Sequence, residues 1–184
     1  MSETLTTYRT EVSGLWQPRH VLHEGEQRLG TLTMQRNRMG MVTGGTWRPE
    51  AGEVFHFRRE PGLLRPQFSV WTDAREWLAS SDRSSLFRRR LDLWTGGKPY
   101  RLVPLSGLRR GWRLIASRTG EALRIEHGLL RRAATIRVYR KTELELVLFS
   151  YFLGALALFQ SLPPTSLDDL AEVDQEPARA PRAG

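Results

Sequence analysis

Short runs of alternating apolar and polar residues fill the chain between residues 19 and 140. Residues 19–34 form two such runs around the turn sequence Glu-Gly-Glu, which predicts a β-hairpin. In residues 133–139 every second side chain is apolar and would face a core. This period of two is typical of strands that bury one face and expose the other to solvent.

Turn sequences separate these runs at intervals of roughly ten residues. They are rich in Gly, Pro, Ser and Asp, and they read PGLLRP (61–66), SSDRS (80–84), TGGKP (95–99), SGLRRG (106–111) and HGLLRR (127–132). Strands at this spacing, with no helical period between them, indicate antiparallel neighbours. A sheet of so many twisted strands tends to close or to split in two. The sequence therefore predicts a mainly β protein, a closed antiparallel β-barrel of roughly 10–12 strands.

The pattern changes from strands to a helix at residue 142. Thr142 and Glu145, three residues later, match the Thr-x-x-Glu sequence of a helix N-terminus. Pro163 and Pro164 would stop a helix. The sequence therefore predicts one hydrophobic C-terminal helix over residues 142–162.

The centre of this helix carries no charge from Leu146 to Phe159, so it is either a core helix or a membrane span. A run of that length covers about 21 Å, whereas the hydrocarbon of a bilayer is about 30 Å thick. The length favours a helix buried inside the barrel. Basic residues before the helix and an acidic tail after it resemble the flanks of a C-terminal anchor, so the membrane span stays an alternative.

Composition limits the chemistry and the domain organisation. The chain has no cysteine, which excludes disulfides, thiolate zinc sites and a cysteine nucleophile. Residues 1–11 are polar and lack the pattern of a secretory signal, so we expect a flexible N-terminal arm. The barrel domain with its central helix would span residues 12–162, and residues 163–184 would be a disordered acidic tail. The expected location is the cytoplasm, with a peripheral position at a membrane as the further option.

The net charge of +8 is distributed unevenly. After Pro164, five acidic residues stand against two arginines, which leaves −3 in the tail and +11 in residues 1–164. A basic body indicates an anionic partner, although an arginine-rich solvated surface would give the same composition. An anion- or lipid-binding surface is predicted from the arginine clusters at strands and turns: Arg58, Arg59, Arg88, Arg90, Arg109, Arg110, Arg131 and Arg132.

The sequence predicts no catalytic residue, no metal site and no cofactor. His20 and His23 are three residues apart on a predicted strand, so their rings would point to opposite faces. Tryptophans lie between the arginine clusters, an arrangement that would also suit stacking on single-stranded nucleic acid. Because tryptophan is usually largely buried, we expect core or rim positions and rank nucleic acid below lipid.

A many-stranded antiparallel barrel around one hydrophobic C-terminal helix resembles the tubby C-terminal superfamily, which includes the phospholipid scramblases and the LURP-one-related proteins. The resemblance covers about residues 12–162, and it is carried by VLHEGEQRLGTL (21–32), EALRIE (121–126), TIRVYRK (135–141) and the C-terminal helix. It implies a non-enzymatic module that binds anionic lipid headgroups or a protein partner. The chain lacks the cysteine cluster, proline-rich N-terminal region and acidic calcium-binding segment of scramblases, so calcium-dependent lipid scrambling is not implied.

Two other functions stay open on the sequence. One is a C-terminally membrane-anchored protein with a soluble β domain, and the other is a nucleic-acid-binding protein. The sequence makes no prediction of oligomeric state.

Overall fold

A computed structural model describes residues 4–14, 17–38, 42–60, 67–82, 90–106, 110–128 and 133–159. Within these residues it contains twelve β-strands and one α-helix, α1 (Leu144–Phe159). The strands are β1 (Thr6–Ser13), β2 (Arg19–Glu24), β3 (Gln27–Arg36), β4 (Val42–Pro49), β5 (Phe55–Glu60), β6 (Gln67–Thr72), β7 (Trp77–Asp82), β8 (Leu91–Thr95), β9 (Lys98–Pro104), β10 (Gly111–Ala116), β11 (Gly120–His127) and β12 (Ala133–Val138).

The strands form one closed antiparallel barrel. Each strand pairs with its neighbours in the chain, and β1 pairs with β12 to complete the circle, with Thr6 opposite Val138. The predicted mainly β fold, a closed barrel around one C-terminal helix, is confirmed. Its apolar core consists of inward-facing side chains from the strands and of α1.

The first strand corrects the predicted N-terminal arm. The sequence predicts an arm over residues 1–11, whereas β1 begins at Thr6 and pairs on both sides, with β12 and β2. Its inward positions include Tyr8 and Thr10, so the strand carries little of the apolar alternation that reveals a strand in sequence. Pairing with two neighbours holds it in place. The predicted tail, 163–184, lies outside the described residues.

The helix α1 fills the interior of the barrel. Its side chains from Leu146 to Leu156 are buried on every face. The ring of Phe57 on β5 stacks on Phe149 and Phe152, with centroid distances of 6.2 and 4.9 Å. Among the described residues, no helix has both the length and the apolar character needed to cross a bilayer.

The start of α1 differs by one residue from the predicted cap. The carbonyl of Glu143 accepts the first helical hydrogen bonds, from the amides of Leu146 and Val147 at 3.1 and 3.2 Å. Glu143 therefore occupies the N-cap position. The hydroxyl of Thr142 instead donates to the carbonyl of Arg140 at 2.8 Å, which ties the helix start to the preceding chain.

A glycine lets α1 fit against the wall of the barrel. A Cβ atom on Gly154 would lie 2.9 Å from Cδ1 of Trp112, closer than side chains normally pack. Trp112 is itself buried on β10, so its ring has little room to move. The close approach of helix and strand therefore depends on the missing side chain.

Candidate anion-binding surface

The up-and-down topology sends alternate connections to opposite rims of the barrel. The connections β1–β2, β3–β4, β5–β6, β7–β8, β9–β10 and β11–β12 share one rim. Arginines occupy the described parts of these connections and the strand termini beside them: Arg19, Arg36, Arg38, Arg90 and Arg110. Acidic residues at the same positions are Glu60 and Asp82, and Glu11, Asp92 and Glu126 lie within two residues of strand ends at this rim, as Arg58 and Arg59 do. We call this end of the barrel the basic rim.

Four segments that lie outside the described residues are also rich in arginine. Residues 61–66, 83–89, 107–109 and 129–132 connect strands whose ends lie at the basic rim. In sequence these four segments contain seven arginines and no aspartate or glutamate.

The opposite rim has a different charge. Its connections and strand termini carry the carboxylates of Glu24, Glu26, Glu50, Glu53, Asp73, Glu76 and Glu143. Its cationic residues are Arg75, Lys98, Arg118, Arg140 and Lys141. The described residues of the barrel are therefore polarised along its axis, with arginine at one end and an excess of carboxylates at the other.

The predicted binding residues fall at the basic rim where the structure describes them. Arg58 and Arg59 are exposed near the end of β5, and Arg110 is exposed directly before β10. Four further predicted residues lie outside the described residues: Arg88, Arg109, Arg131 and Arg132. Arg58 and Arg59 are far from Arg110 in sequence, but their strands meet the same rim. This is because alternate connections of an up-and-down barrel lie at the same end.

Arg90 is a correction to the predicted surface. Its side chain is only 9% exposed, and its Nε lies 3.9 Å from Oδ1 of Asp92. The same oxygen accepts a hydrogen bond from Nε of Arg101 at 3.3 Å. Alternation along the strand predicts an outward-facing, solvated Arg90, whereas the side chain is buried beside Asp92. Arg90 belongs to a buried ion-pair cluster.

A second set of arginines, which the sequence did not single out, lies on the outer wall. The register places Arg113 of β10 directly opposite Arg124 of β11, and Arg124 directly opposite Arg137 of β12. We call these three residues the arginine row. Each stands alone at a polar position of an alternating strand, so no run of arginines marks it. The alternation shows that each faces outward, but only the register shows that they are neighbours.

A β-bulge in β11 supplies one counter-charge for this row. The pairing of β10 and β11 shifts between Leu114 and Ile115, so Ala122 is an extra residue. Glu121 and Arg124, three apart, therefore share the outer face instead of lying on opposite faces. Arg124 donates to both Glu121 oxygens, at 2.7 and 3.0 Å, and these hydrogen bonds raise the pKa of its guanidinium.

The second counter-charge is the carboxylate of Glu126 on β11, which contacts Arg137 on β12. Nη1 of Arg137 donates to Oε2 of Glu126 at 2.5 Å. Like charges directly opposite on paired strands are unfavourable, so these carboxylates make the row possible. The row holds three guanidinium groups and these two carboxylates.

A cleft opens on the outer wall beside the arginine row. It has a volume of about 160 Å³ and is lined by Leu105, Ser106, Arg113 and Arg124. Leu105 and Ser106 follow β9 at the basic rim, so the cleft continues from that rim onto the wall. Its lining combines two cations, a hydroxyl and one apolar side chain.

Inside the barrel, a polar cluster joins α1 to the strands near the basic rim. The hydroxyl of Tyr151 lies 2.7 Å from Nδ1 of His20 and 3.0 Å from Oγ1 of Thr10. The ring of His127 stacks on Tyr151 at a centroid distance of 6.1 Å. Burial, helped by His127, lowers the pKa of His20 to about 4, and burial raises the pKa of Tyr151 to about 12. His20 thus contributes to the core, and His23 lies on the other, partly exposed face of β2.

The remaining titratable residues show no convergent metal site within the described ranges. No group of three His, Asp or Glu side chains there has an arrangement that would hold a metal ion. Nε2 of His56 on β5 lies 2.5 Å from Oδ1 of Asp73, in the connection after β6, near the opposite rim. No family model, no curated protein and no solved structure matches this chain.

Proposed function

We propose that this protein is a non-enzymatic binding module that docks its basic rim against anionic lipid headgroups. The observation that carries the proposal is the polarised charge of the barrel. Exposed Arg58, Arg59 and Arg110 lie at one rim, and seven carboxylates, in four connections and an adjoining strand end, lie at the other. A flat anionic surface would attract the first rim and repel the second, so the charge would also orient the barrel.

The expected strength follows from the number of arginines that approach the surface together. Each Lys or Arg near an anionic membrane contributes about 1 kcal/mol, and the effect fades within a Debye length. Several arginines on one rim would therefore give binding that is reversible and strongly dependent on salt. The helix α1 is buried inside the barrel and would not contact the membrane, so attachment would be peripheral.

The tryptophans favour a lipid surface over single-stranded nucleic acid. Stacking on bases needs exposed aromatic rings beside the cations. Trp47, Trp94 and Trp112 are buried, and Nε1 of Trp71 donates to Ser69 at 2.7 Å. Trp77 is 47% exposed, but it begins β7 at the opposite rim. Among the described tryptophans, none has an exposed ring at the basic rim, and Trp16, in the connection between β1 and β2, lies outside the described residues.

The architecture also supports the proposal. A closed antiparallel barrel around a hydrophobic C-terminal helix resembles the tubby C-terminal superfamily, including the phospholipid scramblases and LURP-one-related proteins. That resemblance favours lipid or partner binding over catalysis. A protein partner with an acidic surface is the alternative, since it would meet the same rim through the same charges.

Vesicle sedimentation tests the proposal. We expect the full chain to sediment with vesicles of phosphatidylcholine and phosphatidylserine at low salt, and not with phosphatidylcholine alone. The double variant Arg58→Glu/Arg59→Glu should weaken sedimentation by at least about tenfold. The matched control is Lys98→Glu/Arg118→Glu, which makes the same change of charge at the opposite rim on two exposed residues.

The control separates rim-specific docking from a general effect of net charge. Equal losses in the two double variants would contradict docking by the basic rim. Failure of the wild-type protein to bind anionic vesicles at low salt would remove the lipid proposal and leave an acidic protein partner to be tested.

A further inference from the structure

Two tryptophans lie side by side on the outer wall of the barrel, at the end away from the basic rim. Trp71 on β6 is directly opposite Trp77 on β7. The pairing shifts between Val70 and Trp71, so Leu78 is an extra residue, and this β-bulge turns Trp77 to the same outer face as Trp71. Leu78 packs against the core, whereas Trp77 is 47% exposed. We call Trp71 and Trp77 the aromatic ledge.

Hydrogen bonds fix the backbone and one ring of the aromatic ledge. Nε1 of Trp71 donates to Oγ of Ser69 at 2.7 Å, and that hydroxyl donates in turn to the carboxylate of Glu60. The turn before Trp77 is closed by two backbone hydrogen bonds of Thr72, both 3.0 Å long. A surface that is held in this way loses little conformational freedom when a partner binds.

Two exposed carboxylates border the aromatic ledge. The side chain of Asp73 is 65% exposed, and its Oδ1 lies 2.5 Å from Nε2 of His56. His56 is the direct cross-strand partner of Trp71, so this contact places the carboxylate beside the ledge. Glu76 is also exposed and immediately precedes Trp77 in the chain.

The charge around the aromatic ledge is opposite in sign to that of the whole chain. The connections β4–β5 and β6–β7, residues 50–54 and 73–76, carry four carboxylates and one cation, Arg75. Lys98 begins β9, two strands away from the ledge. The face of an indole attracts a cation, and neighbouring carboxylates add to that attraction. This surface therefore favours a cationic ligand over a neutral or an anionic one.

We propose that the aromatic ledge is a docking site for an arginine-bearing segment of a partner protein. The guanidinium plane would stack on the exposed ring of Trp77, while Asp73 and Glu76 would accept its hydrogen bonds. Tryptophan and arginine are the residue types that contribute most to binding at protein interfaces. The ledge lies away from the basic rim, so this site does not rest on the proposed function.

NMR titration of the full chain with a blocked peptide, Gly-Arg-Gly-Arg-Gly, tests the site at low salt. We expect saturable shifts of the Trp77 indole N–H and of the backbone amides of residues 73–76, and no shift of the buried Trp47 indole. The same peptide with citrulline in place of arginine keeps the shape and loses the charge. It should bind at least about threefold more weakly.

Matched variants assign the binding to the ledge. Trp77→Leu keeps an apolar side chain and removes the ring, so it should weaken peptide binding about two- to fivefold, and Asp73→Asn should do the same. The first control is Leu5→Ser, which removes another exposed apolar side chain at this rim, half the circumference of the barrel away. The second is Glu26→Gln, an exposed carboxylate in the connection β2–β3. Both controls should bind as the wild type does, and thermal unfolding shows that each variant is folded.

Three results of the titration would overturn the proposal. They are no saturable shift at Trp77, equal binding of the citrulline peptide, or losses in Leu5→Ser or Glu26→Gln as large as that in Trp77→Leu.

Sedimentation velocity of the protein alone tests a second copy of the chain as the occupant. A monomer at the concentration of the titration, together with peptide binding, supports a separate partner. Self-association that Trp77→Leu abolishes would assign the ledge to the arginines of a second copy, and it would overturn the separate partner.

Discussion

The hydroxyl of Tyr151, in the middle of the buried helix, lies 2.7 Å from Nδ1 of His20 on β2. These residues are 131 positions apart in the chain, and the bond joins the last element of the fold to one of the first. Because the same hydroxyl also meets Thr10 on β1, one side chain links α1 to two neighbouring strands.

The first prediction concerns the dependence of stability on pH. Burial among Thr10, Tyr151 and His127 lowers the pKa of His20 in the folded protein to about 4, below the usual value of 6.5. The unfolded chain therefore takes up a proton first as the pH falls. The stability is fully present above pH 6.5 and should decline between about pH 6.5 and 4, by at most about 1.4 kcal/mol per pH unit.

Urea unfolding at a series of pH values measures this decline. His20→Gln should flatten the dependence in that interval, because it removes the titrating ring. His23→Gln, a change on the same strand at the partly exposed face, should retain the decline, since His20 is still present. An unchanged slope in His20→Gln would contradict the assignment.

The second prediction concerns the hydroxyl of Tyr151. Tyr151→Phe keeps the ring in the core and leaves His20 Nδ1 and Thr10 without this partner. We expect the free energy of unfolding to fall by about 1–3 kcal/mol. The comparison variant Tyr100→Phe removes a hydroxyl from a half-buried tyrosine on β9 and should cost less. Equal costs, measured by urea unfolding, would show that the hydrogen bonds to Tyr151 contribute little.

The third prediction concerns the contact between α1 and β10. Gly154→Ala would place a methyl group 2.9 Å from the ring of Trp112, so we expect a loss of about 1–3 kcal/mol despite the better helix propensity of alanine. Ser150→Ala is the matched helix variant. The Ser150 hydroxyl is buried and has no hydrogen-bond partner among the described residues, so its removal should be neutral or stabilising. A thermal shift in the same direction for both variants would contradict the packing argument.

The fourth prediction separates buried arginine from exposed arginine at the basic rim. Arg90→Gln should change vesicle affinity by less than about twofold, because a buried guanidinium does not reach a lipid surface. Asp92→Asn removes the carboxylate that Arg90 and Arg101 both contact, so it should lower the free energy of unfolding by about 3–5 kcal/mol. A loss of vesicle binding in Arg90→Gln, with stability unchanged, would return this residue to the binding surface.

The fifth prediction concerns the acidic residues at 165–184. Tyr151, in the middle of α1, contacts His20 and His127, and both of these lie at strand ends of the basic rim, so α1 runs toward that rim. Deleting residues 165–184 removes a net charge of −3. We expect binding to anionic vesicles to strengthen at low salt and to be unchanged at about 1 M salt, where charges are screened within about 3 Å.

A full-length variant distinguishes charge from length in this experiment. Replacing the five acidic residues of the segment by their amides should strengthen binding as the deletion does. If only the deletion has an effect, the segment acts through its bulk and not its charge.

Much of the fold follows from local patterns in the sequence. Alternating side chains mark most of the strands, because a half-buried strand must place apolar residues at every second position. The length of the uncharged run and the proline pair after it favour a helix inside a barrel, and the structure places α1 there. The strand β1 was missed because Tyr8 and Thr10, on its inward side, leave no apolar alternation to detect.

The candidate sites depend on contacts that the sequence does not contain. Whether Arg113 meets Arg124 is a matter of register, and whether Glu121 faces the same way as Arg124 depends on one bulge residue, Ala122. Whether Arg90 is exposed or buried beside Asp92 depends on tertiary packing. The sequence by itself determined strands, a hydrophobic C-terminal helix whose length favours burial, and an excess of arginine, because these arise from local periodicity and composition. Tertiary structure alone decided which arginines are neighbours and which are buried, because pairing between distant strands sets both.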